Sequence, residues 1–236
     1  MPSVRPLLVL LPGLDGTGDL FTPLRAVAEP AFELRVLRYD HAQDQSYARL
    51  ASELKRELPT ERPFVLIAES FAGPLAIRLA AERGREVEAV VFVNSFVRAP
   101  VTLAQRVLLA SLGRAISHPP AWAVRRYMLG DDAPLALVQS VQDALQRVPA
   151  PVLRARLATL ASCDESESYL RCMAPMFYLR GMRDRLLDPA ALALVEYLRP
   201  GLVVESLDGP HLLLQRNPEA AVAVLSEWLL HDRQLA

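Results

Sequence analysis

The sequence predicts an α/β fold with a six-stranded, mostly parallel sheet and helices on both of its faces. Short, continuously apolar runs alternate with stretches of helical periodicity along most of the chain. Continuous apolar runs are typical of strands buried on both faces, and the alternation of strand and helix favours parallel pairing. The 236 residues are enough for one such domain with a sizeable core.

Six apolar runs have the length and flanking turns of strands. They are Leu7–Leu11, Leu34–Tyr39, Phe64–Ala68, Val87–Asn94, Met176–Leu179 and Leu202–Leu207. Between them the spacing predicts helices from Asp19 to Glu29, Ser46 to Leu58, Phe71 to Arg83 and Asp188 to Leu198, with a last helix starting at Pro218. Ser46 and Asp188 are typical N-cap residues, and Gly84 is a typical stop signal.

The alternation is interrupted between the fourth and fifth strands. Residues 96–171 are rich in Ala, Leu, Arg and Gln, and prolines divide them into about four helices. A segment this long needs structure of its own in a compact domain. We therefore expect a core made of residues 1–95 and 172–236, with a helical cap of residues 96–171 inserted after the fourth strand.

Composition argues against several classes of function. The net charge is −1 and no long charge run occurs, so nucleic acid is not expected as the main partner. No run of about 18 apolar residues suggests a membrane span, and Pro12-Gly13 cuts the first apolar run too short for a signal peptide. Cys163 and Cys172 lack metal-ligand spacing, so we expect reduced thiols, no metal and a cytoplasmic protein.

The strongest functional signal is a serine between a strand and a helix. Ser70 follows the third apolar run, with small residues at Ala68, Ala72 and Gly73. A tight strand-to-helix turn strains the serine backbone and admits only small neighbours, as expected for a nucleophile. An N-cap serine is the simpler alternative. Glu69 is expected to be solvated or to tune the site.

Two further residues share the position of Ser70 at a strand's carboxyl end. Asp184 follows the fifth strand and His211 follows the sixth. These ends meet at one edge of an open parallel sheet, where ligands bind. Histidine can take the serine proton, and an aspartate can orient the imidazole. Asp188 and Asp208 compete as the acid, but Asp188 suits an N-cap and Asp208 lies close to His211 in the chain.

Four stretches together resemble the motifs of small bacterial α/β-hydrolases of the serine esterase type. They are Leu11–Gly18, Ala68–Pro74, Gly181–Asp184 and Gly209–Gln215. The first also resembles the opening of plant phytyl ester synthase-like acyltransferases. The resemblance covers roughly residues 5–95 and 174–232 and implies the sheet order 2-1-3-4-5-6. Residues 96–171 carry no matching motif.

The resemblance also implies an oxyanion hole made of two backbone N–H groups. One belongs to Phe71, after the nucleophile, and the other to Leu14 in the loop after the first strand, with Asp15 as the alternative. Two departures from the family pattern stand out, since Ala68 and Ala72 replace glycines and Pro12 replaces a histidine. Alanine still meets the steric demand of the turn.

The expected function is hydrolysis of small carboxylic esters of short to medium acyl chains through an acyl-enzyme on Ser70, without a cofactor. The same triad would serve acyl thioester hydrolysis or acyl transfer; carbon–carbon bond hydrolysis and non-catalytic binding are weaker alternatives. For the thioester alternative, an acyl carrier protein is a candidate partner, with Arg125 and Arg126 as contacts. Candidates for the acyl pocket are Trp122, Tyr127 and Met128. We expect a monomer or a small homo-oligomer.

Overall fold

The computed structural model describes residues 5–99 and 116–230. Residues 100–115 of the expected cap, and His231 of the last predicted helix, lie outside this range. Among the described residues, no helix is long and apolar enough to cross a membrane.

The centre of the molecule is a six-stranded parallel sheet in the predicted order β2-β1-β3-β4-β5-β6. The strands are β1 Leu7–Leu11, β2 Glu33–Val36, β3 Phe64–Glu69, β4 Val87–Val93, β5 Met176–Gly181 and β6 Val203–Leu207. Ala68 pairs with Leu11 on one side and with Phe92 on the other, so the carboxyl ends of β1, β3 and β4 lie side by side. The polar residues that follow these strands therefore share one edge of the sheet.

Helices lie on both faces of the sheet and in the segment between β4 and β5. They are α1 Thr22–Ala28, α2 Tyr47–Leu54, α3 Gly73–Arg83, α4 Ala121–Ala123, α5 Leu135–Gln146, α6 Ala150–Ser162, α7 Ser166–Arg171, α8 Pro189–Leu198, α9 Leu213–Arg216 and α10 Pro218–Leu230. A π-helical turn, Val124–Leu129, continues α4, and 3₁₀ turns occur at Asp19–Phe21, Ser70–Ala72 and Gly84–Glu86. The predicted caps are confirmed, because Ser46 accepts from the Arg49 N–H, Asp188 accepts from the Ala190 N–H, and Gly84 has φ 56°.

Apolar layers cover both faces of the sheet. One layer joins the strands to α2, α3, α7 and α8, and the other joins them to α1 and α10. The central strands β1 and β3 are buried along their whole length, which explains their continuously apolar sequences. The edge strands β2 and β6 are partly exposed and correspondingly more polar.

Residues 116–162 of the expected cap form a separate apolar cluster above the carboxyl edge of the sheet. Its buried members include Val124, Leu129, Val138, Val141, Leu145, Val152 and Leu153. Leu20 and Leu212 from the core complete this cluster, and Leu14 packs against it. The end of the predicted segment behaves differently, since α7 packs on α3 and its Tyr169 belongs to the main core.

Candidate active site

Ser70 lies in a strained turn between β3 and α3. Its backbone has φ 53°, in the left-handed region that non-glycine residues rarely adopt. A 3₁₀ turn, Ser70–Ala72, follows before α3 begins at Gly73. A strained residue held by a packed turn is a common feature of nucleophile positions. The strand-to-helix turn predicted from the sequence is therefore present.

The small residues around Ser70 are a steric requirement of this turn. A Cβ added to Gly73 would lie 2.2 Å from Ser95 Oγ and 2.5 Å from the Phe96 carbonyl oxygen. Ala68 and Ala72 are fully buried. The chain after β4 passes so close to the turn that larger side chains would force the two segments apart.

A continuous chain of hydrogen bonds joins the three predicted catalytic residues. His211 Nε2 lies 2.9 Å from Ser70 Oγ, and His211 Nδ1 lies 2.7 Å from Asp184 Oδ2. Both His211 and Asp184 are largely removed from solvent. The structure thus brings together Ser70, Asp184 and His211 from three different strand ends.

The environment of Asp184 favours the ionised carboxylate. Burial raises its pKa, but the neighbouring His211 and hydrogen bonds from His211 and from the Leu186 and Leu187 N–H groups outweigh burial and hold the pKa below its usual range. A carboxylate in this position can orient the imidazole and stabilise its protonated form. Asp188, the rival acid, instead caps α8, as predicted.

Asn94, just past the end of β4, is a positioning residue that the sequence analysis did not identify. It is buried with φ 42°, and its Nδ2 donates to the carbonyls of Pro210 at 3.0 Å and His211 at 2.8 Å. Its Oδ1 accepts from the Gly181 N–H at 2.7 Å. Asn94 therefore ties the loop of the histidine to the strand that leads to the acid. An asparagine directly after a buried strand, where it can adopt the left-handed region, was the available signal.

The loop after β1 lies beside the nucleophile. A Cβ added to Gly13 would lie 3.8 Å from Ser70 Cβ. The Gly16 N–H donates to the Gly13 carbonyl at 3.1 Å and closes a turn whose central residues are Leu14 and Asp15. The two candidate oxyanion donors of this loop, the N–H groups of Leu14 and Asp15, thus belong to a turn next to Ser70.

Glu69 is buried and not solvated, so that part of our expectation was wrong. The side chain is 2% exposed, and Gln215 Nε2 donates to its Oε2 at 3.1 Å. Burial raises the pKa of Glu69 to about 8; the Gln215 hydrogen bond opposes the rise, and the nearby Asp15 adds to it. The physical reason is that α9, the short helix after His211, covers this end of β3. At neutral pH the carboxyl next to the nucleophile is therefore mainly uncharged.

The three candidate pocket residues lie in different surroundings. Trp122 is 66% exposed, and Tyr127 is also exposed, in a surface cleft that contains Pro210, the residue before His211. Met128 packs against the apolar cluster of residues 116–162, and its carbonyl accepts from the Leu212 N–H at 2.8 Å. Met128 is therefore in direct backbone contact with the histidine loop. Among the described residues, no three His, Cys, Asp or Glu side chains form a group that could hold a metal ion.

A family model described as the alpha/beta hydrolase family matches residues 4–224. A search of curated proteins finds no match.

Solved structures of similar fold include several hydrolases. An enol-lactonase from Burkholderia xenovorans is 18% identical, with a TM-score of 0.78 over 97% of this chain and 93% of that one. A lipase-esterase related protein from Clostridium acetobutylicum is 13% identical, with a TM-score of 0.75 over 96% of each chain. E-2-(acetamidomethylene)succinate hydrolase is 18% identical, with a TM-score of 0.73 over 94% of this chain and 90% of that one. At these identities the similarity shows the fold.

Proposed function

The chain belongs to the α/β-hydrolase family, and we propose that it is a serine hydrolase that cleaves carboxylic esters through an acyl-enzyme on Ser70. The observation that carries this proposal is the hydrogen-bond chain from Ser70 through His211 to Asp184, with distances of 2.9 and 2.7 Å. The strained φ of Ser70 supports it, because structural serines seldom occupy the left-handed region.

The proposed reaction begins with attack of Ser70 Oγ on the ester carbonyl carbon. His211 Nε2 takes the hydroxyl proton as the new bond forms, and Asp184 stabilises the imidazolium. The tetrahedral intermediate then collapses, its C–O bond to the alcohol breaks, and His211 returns the proton to the leaving alcohol. A water molecule, deprotonated by His211, then attacks the acyl-enzyme. The bond from the acyl carbon to Ser70 Oγ breaks, His211 returns the proton to Ser70, and the carboxylic acid is released.

Two backbone N–H groups are proposed to bind the oxyanion that forms in both steps. Phe71 supplies one and Leu14, with Asp15 as the alternative, supplies the other. The Ser70 carbonyl accepts from the Ser95 hydroxyl and from the Gly73 N–H. Since the C=O and N–H of one trans peptide point in opposite directions, these bonds aim the Phe71 N–H away from Ser95. Each such donor typically contributes about 3–4 kcal/mol of transition-state stabilisation.

The acyl group is proposed to lie beneath the cap of residues 96–171. The described part of this segment, with its apolar cluster, packs on Leu20 and Leu212 above the carboxyl edge of the sheet. Of the three candidate pocket residues, Met128 has the best support, because its backbone contacts the loop of His211. An apolar cap of this kind suits esters of short to medium acyl chains and would limit access of bulk water.

The decisive test is replacement of Ser70 by Ala. We expect loss of about 10⁶ in kcat for ester hydrolysis. Ser140, which is exposed on α5, provides a matched control, and Ser140→Ala should keep wild-type activity. A fluorophosphonate probe should label Ser70 and leave the Ser70→Ala protein unlabelled. If Ser70→Ala retains more than about one per cent of the activity, the nucleophile is another residue.

A panel of substrates separates the remaining chemistries. p-Nitrophenyl esters of increasing chain length, acyl thioesters on coenzyme A or a carrier protein, and esters with an added alcohol acceptor should be compared on one enzyme preparation. Amide and lactone substrates belong in the same panel, because the solved neighbours named above include a lactonase and an acetamido-compound hydrolase. A higher kcat/KM for thioesters, or product transfer to the alcohol, would replace the ester proposal while leaving the triad in place.

A further inference from the structure

Arg156 on α6 is completely buried and lies behind the loop that follows β1. Its exposed fraction is 0%, and its Nη1 donates to the carbonyls of Leu14 at 3.0 Å and Asp15 at 2.6 Å. Nη2 donates to the Asp40 carbonyl at 3.0 Å, and Nε donates to Gln45 Oε1 at 2.8 Å. The guanidinium carbon lies 5.3 Å from the centre of the Tyr39 ring. All of these side-chain hydrogen bonds tie α6 to the core.

The acceptors of Arg156 are neutral oxygens, which is unusual for a buried arginine. A buried charge is costly unless it is fully hydrogen-bonded, and buried arginines are normally paired with carboxylates. Here burial lowers the pKa of Arg156, and the nearby Tyr39, Asp15 and Asp40 oppose the lowering. The side chain is therefore built to hold main-chain carbonyls, and two of them belong to the loop beside Ser70.

Every carbonyl of the loop from Pro12 to Gly16 is held by a donor. The Tyr39 hydroxyl holds the Pro12 carbonyl at 2.6 Å, and the Tyr39 N–H holds the Gly16 carbonyl at 2.9 Å. The Gly16 N–H holds the Gly13 carbonyl, and Arg156 holds those of Leu14 and Asp15. Because the C=O and N–H of one trans peptide point in opposite directions, the Leu14 carbonyl fixes the direction of the Asp15 N–H. The Gly13 carbonyl likewise fixes the direction of the Leu14 N–H.

The loop Pro12–Gly16 packs tightly against the guanidinium group of Arg156. A Cβ added to Gly16 would lie 2.6 Å from Arg156 Nη1 and 2.5 Å from Tyr39 Cδ2. Gly16 also has φ 65°, which favours glycine. The loop therefore closes directly on the arginine, and a shift of one displaces the other.

We propose that Arg156 is a positioning residue for the oxyanion hole. Through the Leu14 carbonyl it directs the Asp15 N–H, and through the Asp15 carbonyl it directs the Gly16 N–H, which in turn holds the Gly13 carbonyl and so directs the Leu14 N–H. Either candidate donor would then face the reacting carbonyl at Ser70. This rests on the proposed function of Ser70. It assigns a part of the catalytic machinery to the segment inserted after β4, since α6 lies between that strand and β5. The insertion would then do more than cover the substrate, because removing its arginine would disorganise the transition-state site itself.

The test uses Arg156→Met and Arg156→Lys, with Arg154→Met as the matched control. Arg154 lies on the same helix and is exposed, so its replacement should leave kcat and KM unchanged. For Arg156→Met we expect kcat on the best p-nitrophenyl ester to fall by about 10² to 10³, the usual effect of losing one oxyanion donor. KM should change less than about threefold, because the N–H groups act mainly on the transition state. Arg156→Lys should lose about tenfold, since the three donors of one ammonium cannot replace the four hydrogen bonds that the guanidinium makes from Nε, Nη1 and Nη2.

A transition-state analogue separates positioning from a merely structural role. A trifluoromethyl ketone adds to Ser70 and forms an oxyanion, so its affinity should fall by the same factor as kcat/KM across the variants. Circular dichroism and thermal unfolding should first show that each protein is folded. If Arg156→Met does not fold, the folded Arg156→Lys protein is used for the same test. It should show the smaller loss expected for this variant, both in kcat and in affinity for the ketone.

Three results would overturn the inference. Folded Arg156 variants with wild-type kcat and wild-type ketone affinity would show that the arginine only joins the insertion to the core. A rise in KM with unchanged kcat would assign Arg156 to substrate binding. If the wild-type protein shows no turnover that depends on Ser70, both the proposed function and this inference are wrong. The first two results would contradict only the inference and would leave the proposed function intact.

Discussion

The two sides of Ser70 are built from backbone turns that are supported in different ways. On one side the nucleophile turn, Glu69–Gly73, leads directly into α3, and its carbonyls are held by Ser95 and Tyr47. On the other side the loop Pro12–Gly16 does not run directly into a helix, since the next 3₁₀ turn begins at Asp19 and α1 at Thr22. Its carbonyls are held by Tyr39 and by Arg156, which lies about 140 residues further along the chain.

This difference explains why one side is recognisable from the sequence and the other is not. The nucleophile turn needs small residues at fixed positions around a serine, and this requirement is local. The loop after β1 needs a donor that reaches it from a distant helix, and no spacing rule connects the two. We therefore expect the two sides to respond differently to substitution.

The largest expected effect is a steric one on the nucleophile side. Gly73→Ala would place a methyl group 2.5 Å from the Phe96 carbonyl oxygen, which is backbone and cannot rotate away. We expect a loss of about 3 kcal/mol in the free energy of unfolding and a large loss of activity.

The matched control is Gly13→Ala on the loop side. There the added Cβ would have its nearest neighbours at 3.8 and 3.9 Å, an ordinary contact distance. Its cost should stay below about 1 kcal/mol. Urea denaturation of both variants provides the measurement, and equal costs would contradict the difference in packing between the two sides.

The second effect links the two sides through charge. Burial raises the pKa of Glu69 to about 8, and Asp15 in the opposite loop contributes to the rise. The folded protein then keeps this proton up to about pH 8, whereas the unfolded chain releases it near pH 4.5. Glu69 therefore makes its whole contribution to the free energy of unfolding below pH 4.5. As the pH rises from there towards 8, this contribution decreases by about 1 kcal/mol per pH unit.

Glu69→Gln should remove this pH dependence. We expect the free energy of unfolding of the wild type, relative to that of the variant, to fall by about 2–4 kcal/mol between pH 5 and pH 8. Urea denaturation across this range measures it, with Glu57→Gln, an exposed site on the surface, as the control. Parallel curves for wild type and Glu69→Gln would mean that Glu69 is ionised in the folded state throughout.

Most of the fold followed from local rules in the sequence. The caps of α2 and α8 and the stop of α3 at Gly84 depend on residues near one another in the chain. The strand order does not, because it was expected from the family resemblance, and the structure confirms it. The second strand shows a limit of these rules. It was predicted to reach Tyr39 but ends at Val36. Tyr39 leaves the sheet because its hydroxyl and N–H hold the loop from Pro12 to Gly16, a contact that apolar periodicity does not show.

The residues of the site could be predicted from the sequence where the end of a strand fixes their position. They could not be predicted where they depend on contacts with side chains from distant parts of the chain. Ser70, Asp184 and His211 could be found because parallel strands bring their carboxyl ends to one edge. Glu69 was misjudged because the residue that covers it, Gln215, comes from a short helix with no clear periodicity. Arg156 gave no signal at all, since an arginine in a helix is ordinarily exposed.

The third effect concerns Asn94, which holds the histidine loop. Asn94→Ala would leave the carbonyls of Pro210 and His211 and the Gly181 N–H without their partner. We expect a loss of about 2 kcal/mol in the free energy of unfolding and a fall in kcat of about 10², since the imidazole would no longer be fixed. Asn94→Asp keeps the acceptor but loses both donated bonds. If kcat of Asn94→Ala stays within about twofold of wild type, the triad geometry does not depend on Asn94.

The smallest and most direct comparison uses two tyrosines, one for each side. The Tyr39 hydroxyl donates to the Pro12 carbonyl at 2.6 Å and the Tyr47 hydroxyl donates to the Phe71 carbonyl at 2.9 Å, and both rings pack on Phe71. Tyr39→Phe and Tyr47→Phe each remove one buried donor, so each should cost about 1 kcal/mol and lower Tm by about 2–4 °C. Burial raises the pKa of both phenols well above its ordinary value, so these costs should be the same from pH 6 to about pH 9.

Activity should separate the two variants although stability does not. The Phe71 N–H remains fixed in Tyr47→Phe, because the Ser70 carbonyl is still held by Ser95 and by the start of α3, so kcat should fall less than about twofold. Tyr39→Phe leaves the Pro12 carbonyl without its donor in a loop that does not run directly into a helix, so kcat should fall by about five- to tenfold. Steady-state kinetics on one p-nitrophenyl ester is sufficient. A larger loss of kcat in Tyr47→Phe than in Tyr39→Phe would contradict this expectation. It would show that the strand-to-helix geometry of the nucleophile turn is insufficient to hold the Phe71 N–H, and that this turn also needs the Tyr47 hydrogen bond.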